Sequence, residues 1–491
     1  MQKRFYPGLV LFCVIVTAYI LMDVLQVGFL SDDYALSPVF VFQIKDLFKV
    51  LNKVHMGLIS MHPFRPVAFV SFYLDYRIYG FDPVGFHLTN IVIHSLNTVF
   101  LFYFLSRLSK DVLGSFMGSL FFGLYPANVE PLAWVVGRFD SLAGFWLLVS
   151  LLLFTGSQKN GTKSNVYIFF SSLAFLLSLF SKETALSAIF IFIPLTVMLR
   201  NGDGGTNRRW LLSQLAALIL FLAVRLWMFG NVAGDTFSTR QGLSERMDIV
   251  TLLNYLWSDL RIMLTPFNRE SNNFSEAMFY WISGPLIIAA VYNSVRGQSS
   301  KLYYLLILGV VWIIGFLLPS LPLEDIREDL GNARFLYIPS MGLAMIMCLA
   351  LVNKAKYVRY PLLAILVVLV AMNTTALRNN ISVYLEASEI AKFNRIVVNE
   401  VIVCNDKLNE NTQLVIVNMP VLYKGAHLSP TLFASYFEFL TGIRTRSTVY
   451  IFKEPWDIAE WYKKLMENHP DYLVFVFDPE TKELTPMRKG S

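Results

Sequence analysis

The chain has 491 residues, of which 55% are hydrophobic and only 15% charged, and its mean hydropathy is +0.52. Soluble domains carry about 25% charged residues, so this composition excludes a soluble globular protein and describes a polytopic helical membrane protein. Lys and Arg number 41 against 35 Asp and Glu, a net charge of +6 that reads as a membrane-orientation signal rather than nucleic-acid affinity.

Taken in order, the chain opens on Met1-Gln-Lys-Arg and an apolar run over 7–25 that is long enough to cross a bilayer. No convincing small-residue cleavage site follows it, so it reads as a retained signal anchor with a cytoplasmic N-terminus. Asp32 and Asp33 emerge a few residues beyond, in FLSDDYAL. Such a pair is either a solvated turn acid beside a helix cap or the acidic part of a site at the membrane surface, and the downstream sequence favours the second. The first outer loop, about 26–85, is too long for a simple connector. Within it Phe40, Ile44, Leu47, Phe48 and Leu51 form an apolar stripe opposite Lys45, Asp46, Lys49 and Asn52, which predicts an interfacial helix over 38–53 that roofs a cavity.

Ten more span-length apolar stretches follow, near 86–106, 112–127, 141–156, 166–181, 184–199, 210–229, 278–295, 302–320, 335–352 and 361–377, for eleven in all. A twelfth hydrophobic segment, 248–267, carries Asp259 and Arg261 at its centre and is placed flat in the interface. Eleven spans gather Arg107, Lys110, Lys159, Lys163, Arg200, Arg208, Arg209, Arg296, Lys301, Lys354, Lys356 and Arg359 into short inner loops, as the positive-inside rule requires. The C-terminus then lies outside. Asp32 and Asp33, the turn 127–140, the corner Ser181-Lys182-Glu183, the segment 230–277 and the loop 321–334 share that outer face. On the second span His87, Asn90 and His94 lie on one helical face. Interhelical hydrogen bonding is the favoured reading for them, and donor binding the alternative.

Beyond Arg378 the composition becomes that of a soluble segment. Helices are predicted over 384–408, 430–440 and 457–468, and strands over 413–418, 448–453 and 472–477. This alternation describes a small α/β layer, with parallel pairing of its strands left open. The domain boundary is set at 380/381, with residues 381–491 forming a soluble extracytoplasmic α/β domain. It contains no Gly-rich phosphate loop or nucleophile signature, so its expected role is to cover the outer cavity or receive an acceptor.

Four blocks, HPFRPVAFVSFYLDYRIYGFDPVGFHLTNIVIHSLN (62–97), YPANVEPLAWVVGRFDSLAG (125–144), SKETALSAIFIFIPL (181–195) and ARFLYIPSMGL (333–343), together with the acidic loop resemble the membrane half of the tetratricopeptide-repeat O-mannosyltransferases and their bacterial relatives. These belong to the GT-C glycosyltransferases, with the protein O-mannosyltransferases and the aminoarabinose transferases of lipid A. The resemblance runs in order over about 1–380. It departs in lacking the repeats, and in having Ala333 where the family commonly places an acid before the equivalent of Arg334.

The resemblance implies a GT-C type polytopic fold, and an inverting transfer from a polyprenyl-phosphate-linked sugar to an extracytoplasmic protein, lipid or polysaccharide, with membrane lipid as the other partner and no nucleic acid. Inversion needs a base for the acceptor hydroxyl, a role open to Asp33 or Asp32, with Asp33 preferred. The departing lipid phosphate needs cations and hydrogen-bond donors. Arg65, Arg138, Lys182 and Arg334 are the candidates, with His62, Glu130, Asp140 and Glu183 as polar companions. Local pairing of Arg138 with Asp140 and of Lys182 with Glu183 is the structural alternative. A divalent cation is left open as a cofactor, with Asp32 and Asp33 as candidate ligands; no helical His pair or Cys pair supports it. An O-antigen ligase or polymerase-like envelope enzyme is the alternative function. A transporter ranks lower because no internal repeat is visible. The prokaryotic plasma membrane is the expected location.

Overall fold

The structure, a computed structural model, describes residues 6–36, 64–158, 163–199, 205–229, 248–296, 300–322, 325–352, 355–403, 413–428, 447–450, 455–469 and 471–487. His62 and the expected helices over 38–53 and 430–440 lie outside them, as do residues 230–247 of the segment 230–277.

Long apolar runs with few breakers make helices here, and short polar residues mark their starts. α1 covers Tyr6–Ile20, α2 Pro66–Tyr79, α3 Pro83–Ser109 and α4 Val112–Gly123. Asp82 caps α3 by accepting from the Val84 N–H at 3.0 Å, and Asp111 caps α4 by accepting from the Gly114 N–H at 2.6 Å. There follow α5 (Val129–Ala133), α6 (Arg138–Ser157), α7 (Ser164–Leu179), α8 (Ala188–Met198), α9 (Gly205–Phe229), α10 (Ile249–Leu264), α11 (Glu276–Arg296), α12 (Ser300–Leu317), α13 (Tyr337–Ala350) and α14 (Lys356–Val403).

Among the described residues, seven helical stretches are long and apolar enough to cross a membrane, and an eighth is the pair Val112–Gly123 and Pro126–Ala133, bent by 49°. Pro7–Ile20, Ser164–Leu179 and Glu183–Met198 are shorter apolar helices. These elements coincide with the apolar stretches of the sequence; a total of eleven crossings, and their orientation, rest on the charge distribution. α10 stands apart from the set. Ile249, Val250, Leu253 and Trp257 are exposed on it while Asp259, Ile262 and Met263 are buried.

Every residue of α13 is buried, and α4, α11 and α12 pack around it. Its contact with α4 is close because two glycines face it. A Cβ on Gly114 would lie 2.7 Å from the Cys348 carbonyl oxygen, and one on Gly118 2.6 Å from that of Ala344. Small residues permit such backbone approach in membrane helix pairs.

α14 corrects the expected break after Arg378. It is one helix of 48 residues, about 70 Å long at 1.5 Å per residue, more than twice the thickness of a bilayer core. No Gly or Pro occurs between Leu362 and Val403, so a change in polarity does not interrupt the backbone ladder. Its second half packs on a four-stranded sheet of order β4-β1-β5-β6, where β1 is Leu414–Val417, β4 Ser447–Tyr450, β5 Leu473–Asp478 and β6 Glu483–Pro486. β4, β1 and β5 run parallel, and β6 is antiparallel to β5. A helix, α15 (Pro455–Asn468), sets Ile458 and Tyr462 against Val415, Val417 and Val474. Two features of the segment after α14 went unpredicted: β6, and a hairpin of β2 (Leu422–Tyr423) with β3 (Ala426–His427).

Candidate active site

The site is built around the turn between α4 and α6. Every residue from 114 to 144 is buried, although this stretch contains four breaks in regular helix, at 124–125, in the 3-10 turn Pro126–Asn128, at Trp134 and in the turn Val135–Gly137. Irregular backbone at such depth needs partners for its polar groups, and α3 supplies them. His87 Nδ1 lies 3.1 Å from the Leu132 carbonyl oxygen, and Asn90 Nδ2 donates to the carbonyls of Pro131 and Leu132 at 3.4 Å. His94 Nε2 lies 3.0 Å from the Gly123 carbonyl oxygen and its Nδ1 2.8 Å from the Tyr337 hydroxyl. The polar face of the second span therefore makes interhelical hydrogen bonds and holds the turn.

The two adjacent acids are used differently. Asp33 is fully buried. Its Oδ2 accepts from the N–H of Leu30 at 2.9 Å and of Val135 at 3.4 Å, and its Oδ1 from that of Val136 at 2.9 Å. Burial pushes its carboxyl up to about 8; the three N–H groups act against that shift and the Asp32 charge adds to it. Asp33 thus pins the segment after α1 to the α4–α6 turn. Asp32 is only partly buried and accepts from Ser31 Oγ at 3.4 Å. Asp33, the acid preferred as base from the sequence, is thus held through both of its oxygens by backbone N–H groups.

The four predicted cations are all paired, but none with its neighbour in sequence. Arg65 grips Glu183 with Nε at 3.0 Å and Nη2 at 2.5 Å. Lys182 Nζ donates to both oxygens of Asp140 at 2.6 Å. Arg334 Nη1 contacts Glu130 Oε1 at 2.5 Å, and its backbone N–H donates to Oε2 at 2.9 Å. Glu130 thereby partners Arg334, in a chain whose preceding residue is Ala333. Phe335 ties two of these pairs together, its ring centroid 4.9 Å from both Lys182 Nζ and Arg334 Cζ, and Arg65 lies over Phe139 at 4.5 Å.

Arg138 stands apart. It is fully buried, with Nε on Asn90 Oδ1 at 2.5 Å, Nη2 on the Phe86 carbonyl at 2.8 Å, Nη1 on Ser71 Oγ at 3.3 Å and an ion pair to Asp75 at 2.6 Å. A guanidinium with all three nitrogens engaged in the core is a structural clamp, so the expectation that Arg138 binds a phosphate is corrected.

Sequence reasoning missed His427. The β2–β3 hairpin carries it onto Trp134, ring stacked on ring at 4.4 Å, with Nε2 3.0 Å from Arg334 Nη1 and 3.1 Å from Glu130 Oε1. The local signal was the turn pair Lys424-Gly425 between Leu422-Tyr423 and Ala426-His427. Among the described residues no group of three His, Cys, Asp or Glu side chains is placed to hold a metal ion. Both Asp33 oxygens accept from backbone N–H groups, and among the described residues no third His, Cys, Asp or Glu joins Asp32 and Asp33 as a ligand.

An apolar groove of about 580 Å³ runs along α8 and α12, lined by Ile189, Phe190, Ile193, Val197, Ile307 and Val311 among others. α8 continues directly from the turn Glu183–Ser187 that follows Lys182.

No protein-family model matches the chain. In sequence it is similar to the protein O-mannosyl-transferase TMTC2 of Mus musculus, 35% identical over 100 residues that make up 20% of this chain and 12% of that one. It is also similar to the protein O-mannosyl-transferase TMTC4 of Homo sapiens, 25% identical over 393 residues, covering 65% of this chain and 51% of that one. The chain thus spans about half or less of the length of these curated relatives. Its fold is similar to the apo oligosaccharyltransferase of Archaeoglobus fulgidus, with a TM-score of 0.53 and 11% identity over 97% of this chain and 69% of that one. It is also similar to apo ArnT from Cupriavidus metallidurans, with a TM-score of 0.50 and 12% identity over 97% and 94% of the two chains.

Proposed function

From a chain with the GT-C glycosyltransferase fold and sequence kinship to protein O-mannosyl-transferases, we propose an integral-membrane, inverting glycosyltransferase that moves a sugar from a polyprenyl-phosphate donor to a hydroxyl outside the cytoplasm. The observation that carries the reading is the cluster of Arg65, Lys182 and Arg334, braced by carboxylates and aromatic faces, with an apolar groove along α8, the helix that continues from the turn after Lys182. A lipid phosphate has this same division into an anionic head and an apolar tail.

Each carboxylate keeps its cation ionised and aimed, and a guanidinium has five N–H donors, more than one carboxylate can accept, so a phosphate oxygen can be met beside the carboxylate partner. The isoprenoid tail lies in the α8–α12 groove. Asp32 takes the proton from the acceptor hydroxyl. That oxygen bonds the anomeric carbon from the face opposite the phosphate, the carbon–oxygen bond to phosphate breaks, and its electron pair leaves with the polyprenyl phosphate. Arg334, Lys182 and Arg65 stabilise the charge that develops there. Asp33, Arg138 and the α3 polar face hold the backbone in place.

The names of the relatives make mannose the first sugar to try and a protein hydroxyl the first acceptor. The test is reconstitution of the full chain in liposomes with polyprenyl-phosphate mannose, scoring release of polyprenyl phosphate and mannose on acceptor peptides, lipids and glycans. Release with inverted stereochemistry supports the reading. No release with any polyprenyl-phosphate sugar, from protein that is folded and correctly inserted, overturns it.

A further inference from the structure

The β2–β3 hairpin is fastened from three sides to deliver one side chain. Gly425 has a φ of +89°, and a Cβ there would lie 2.0 Å from the Asp329 carbonyl oxygen, so the turn seats on the outer loop in a way only glycine allows. Asn268 Nδ2 donates to the Lys424 carbonyl at 2.8 Å. The Tyr423 hydroxyl donates to Glu386 of α14, and Lys482 donates to the same carboxylate. An isolated two-stranded hairpin is marginal in water; this one is set by its surroundings.

At its end His427 has only 14% of its side chain exposed. One nitrogen, Nε2, faces a donor, Arg334 Nη1, and an acceptor, Glu130 Oε1. With a lone pair there it accepts from Arg334; with a proton there it donates to Glu130. A residue whose work was only to cover Trp134 would be better apolar, since burying a polar ring beside an ion pair carries a desolvation cost. The ring is instead suited to change partner when an anion takes donors from Arg334.

We propose that His427 is a donor-binding residue of this site: it keeps Arg334 and Glu130 in register and gives its own Nε2–H to the phosphate that Arg334 grips. The segment after the membrane helices then completes the site rather than merely shielding it. This rests on the lipid-phosphate reading above, and the experiment separates the two.

The full chain and its His427→Ala and His427→Gln variants are purified in lipid nanodiscs. Binding of undecaprenyl phosphate is measured first, and sugar transfer second. A hydrogen bond to a charged group corresponds to about 10- to 100-fold in affinity. His427→Ala should therefore weaken undecaprenyl phosphate binding and raise the donor KM by about that factor, with the acceptor KM unchanged. His427→Gln, whose amide can donate from nearly the same place, should recover most of the loss. Loss of undecaprenyl phosphate binding in His427→Ala, rescued by Gln, upholds the inference even if no sugar is ever transferred, an outcome that sinks the transferase reading alone. Wild-type binding and donor KM in His427→Ala would overturn the inference while leaving sugar transfer by the parent protein standing. Equal losses in Ala and Gln, with the acceptor KM rising in step, would also overturn it, by reducing His427 to a structural prop.

Discussion

Asp33 commits both oxygens to the N–H groups of Leu30, Val135 and Val136, and this separates it from its neighbour in a way two variants expose. Asp33→Asn puts an amide nitrogen, which cannot accept, opposite one of these donors, and should cost about 1–3 kcal/mol of stability. Asp32→Asn should leave stability near that of the parent and lower transfer by about 10²- to 10⁴-fold through loss of the base. Equal turnover in Asp32→Asn and the parent would remove Asp32 from the chemistry. The raised carboxyl of Asp33 also makes a pH prediction. The folded chain holds that proton more tightly, at about 8 against 3.8 for the ordinary side chain, so its contribution to stability is fully present below 3.8 and is lost as pH rises through about 8. Thermal unfolding in detergent should show the parent losing stability between pH 6 and pH 9, and Asp33→Asn losing less; parallel curves would contradict it. Arg334 needs a gentler change. Arg334→Ala strands the buried Glu130, at about 3–5 kcal/mol, whereas Arg334→Lys keeps a charge beside it. The lysine variant should stay folded and lose donor kcat/KM, because an ammonium lacks the planar fork. An unchanged donor kcat/KM in that variant would return Arg334 to a structural role.

At the scale of elements, the α4–α6 turn gathers what the sequence scatters. Glu130, Trp134, Arg138, Asp140 and the N–H groups that hold Asp33 lie within eleven positions, yet their partners come from α2, α3, the Lys182 corner, the Arg334 turn and the β2–β3 hairpin. Periodicity located most of these helices, since burial of an apolar stripe is a local pattern. It failed over α14, where a fall in hydropathy after Arg378 does not end a helix that has no breaker. That continuity has a consequence. Ala387, wholly buried in the half of α14 that packs on the sheet, should not accept proline, which removes a helix hydrogen bond and costs about 3 kcal/mol or more. Limited proteolysis of Ala387→Pro should cut near 385–403 while the membrane helices stay protected. Parent-like resistance would show that this half of the helix does not bear on the sheet's attachment.

At the scale of the whole molecule, the orientation comes from charge. If the short loops rich in Lys and Arg face the cytoplasm, the Asp32 loop, the cation cluster and the sheet lie together outside. A topology reporter fused after Arg378 should then be active only beyond the cytoplasmic face. Cytoplasmic activity of that fusion would turn the molecule over and place the donor phosphate in the other leaflet.

Sequence alone determined the class of the molecule, its apolar helices, the β-strand character of its last hundred residues and the polar residues worth watching, because composition and periodicity are local consequences of burial in lipid or in a core. Only the tertiary structure decided which charge meets which. Arg138 turned inward to Asp75, Lys182 reached Asp140, Arg65 reached Glu183, and His427 arrived from 297 positions away to meet Glu130. Pairing of ions depends on where helices cross and how a buried turn closes, and neither leaves a periodic trace along the chain. Even which of two identical, adjacent side chains meets the N–H groups of Leu30, Val135 and Val136 was decided by the folded turn, which brought them to Asp33.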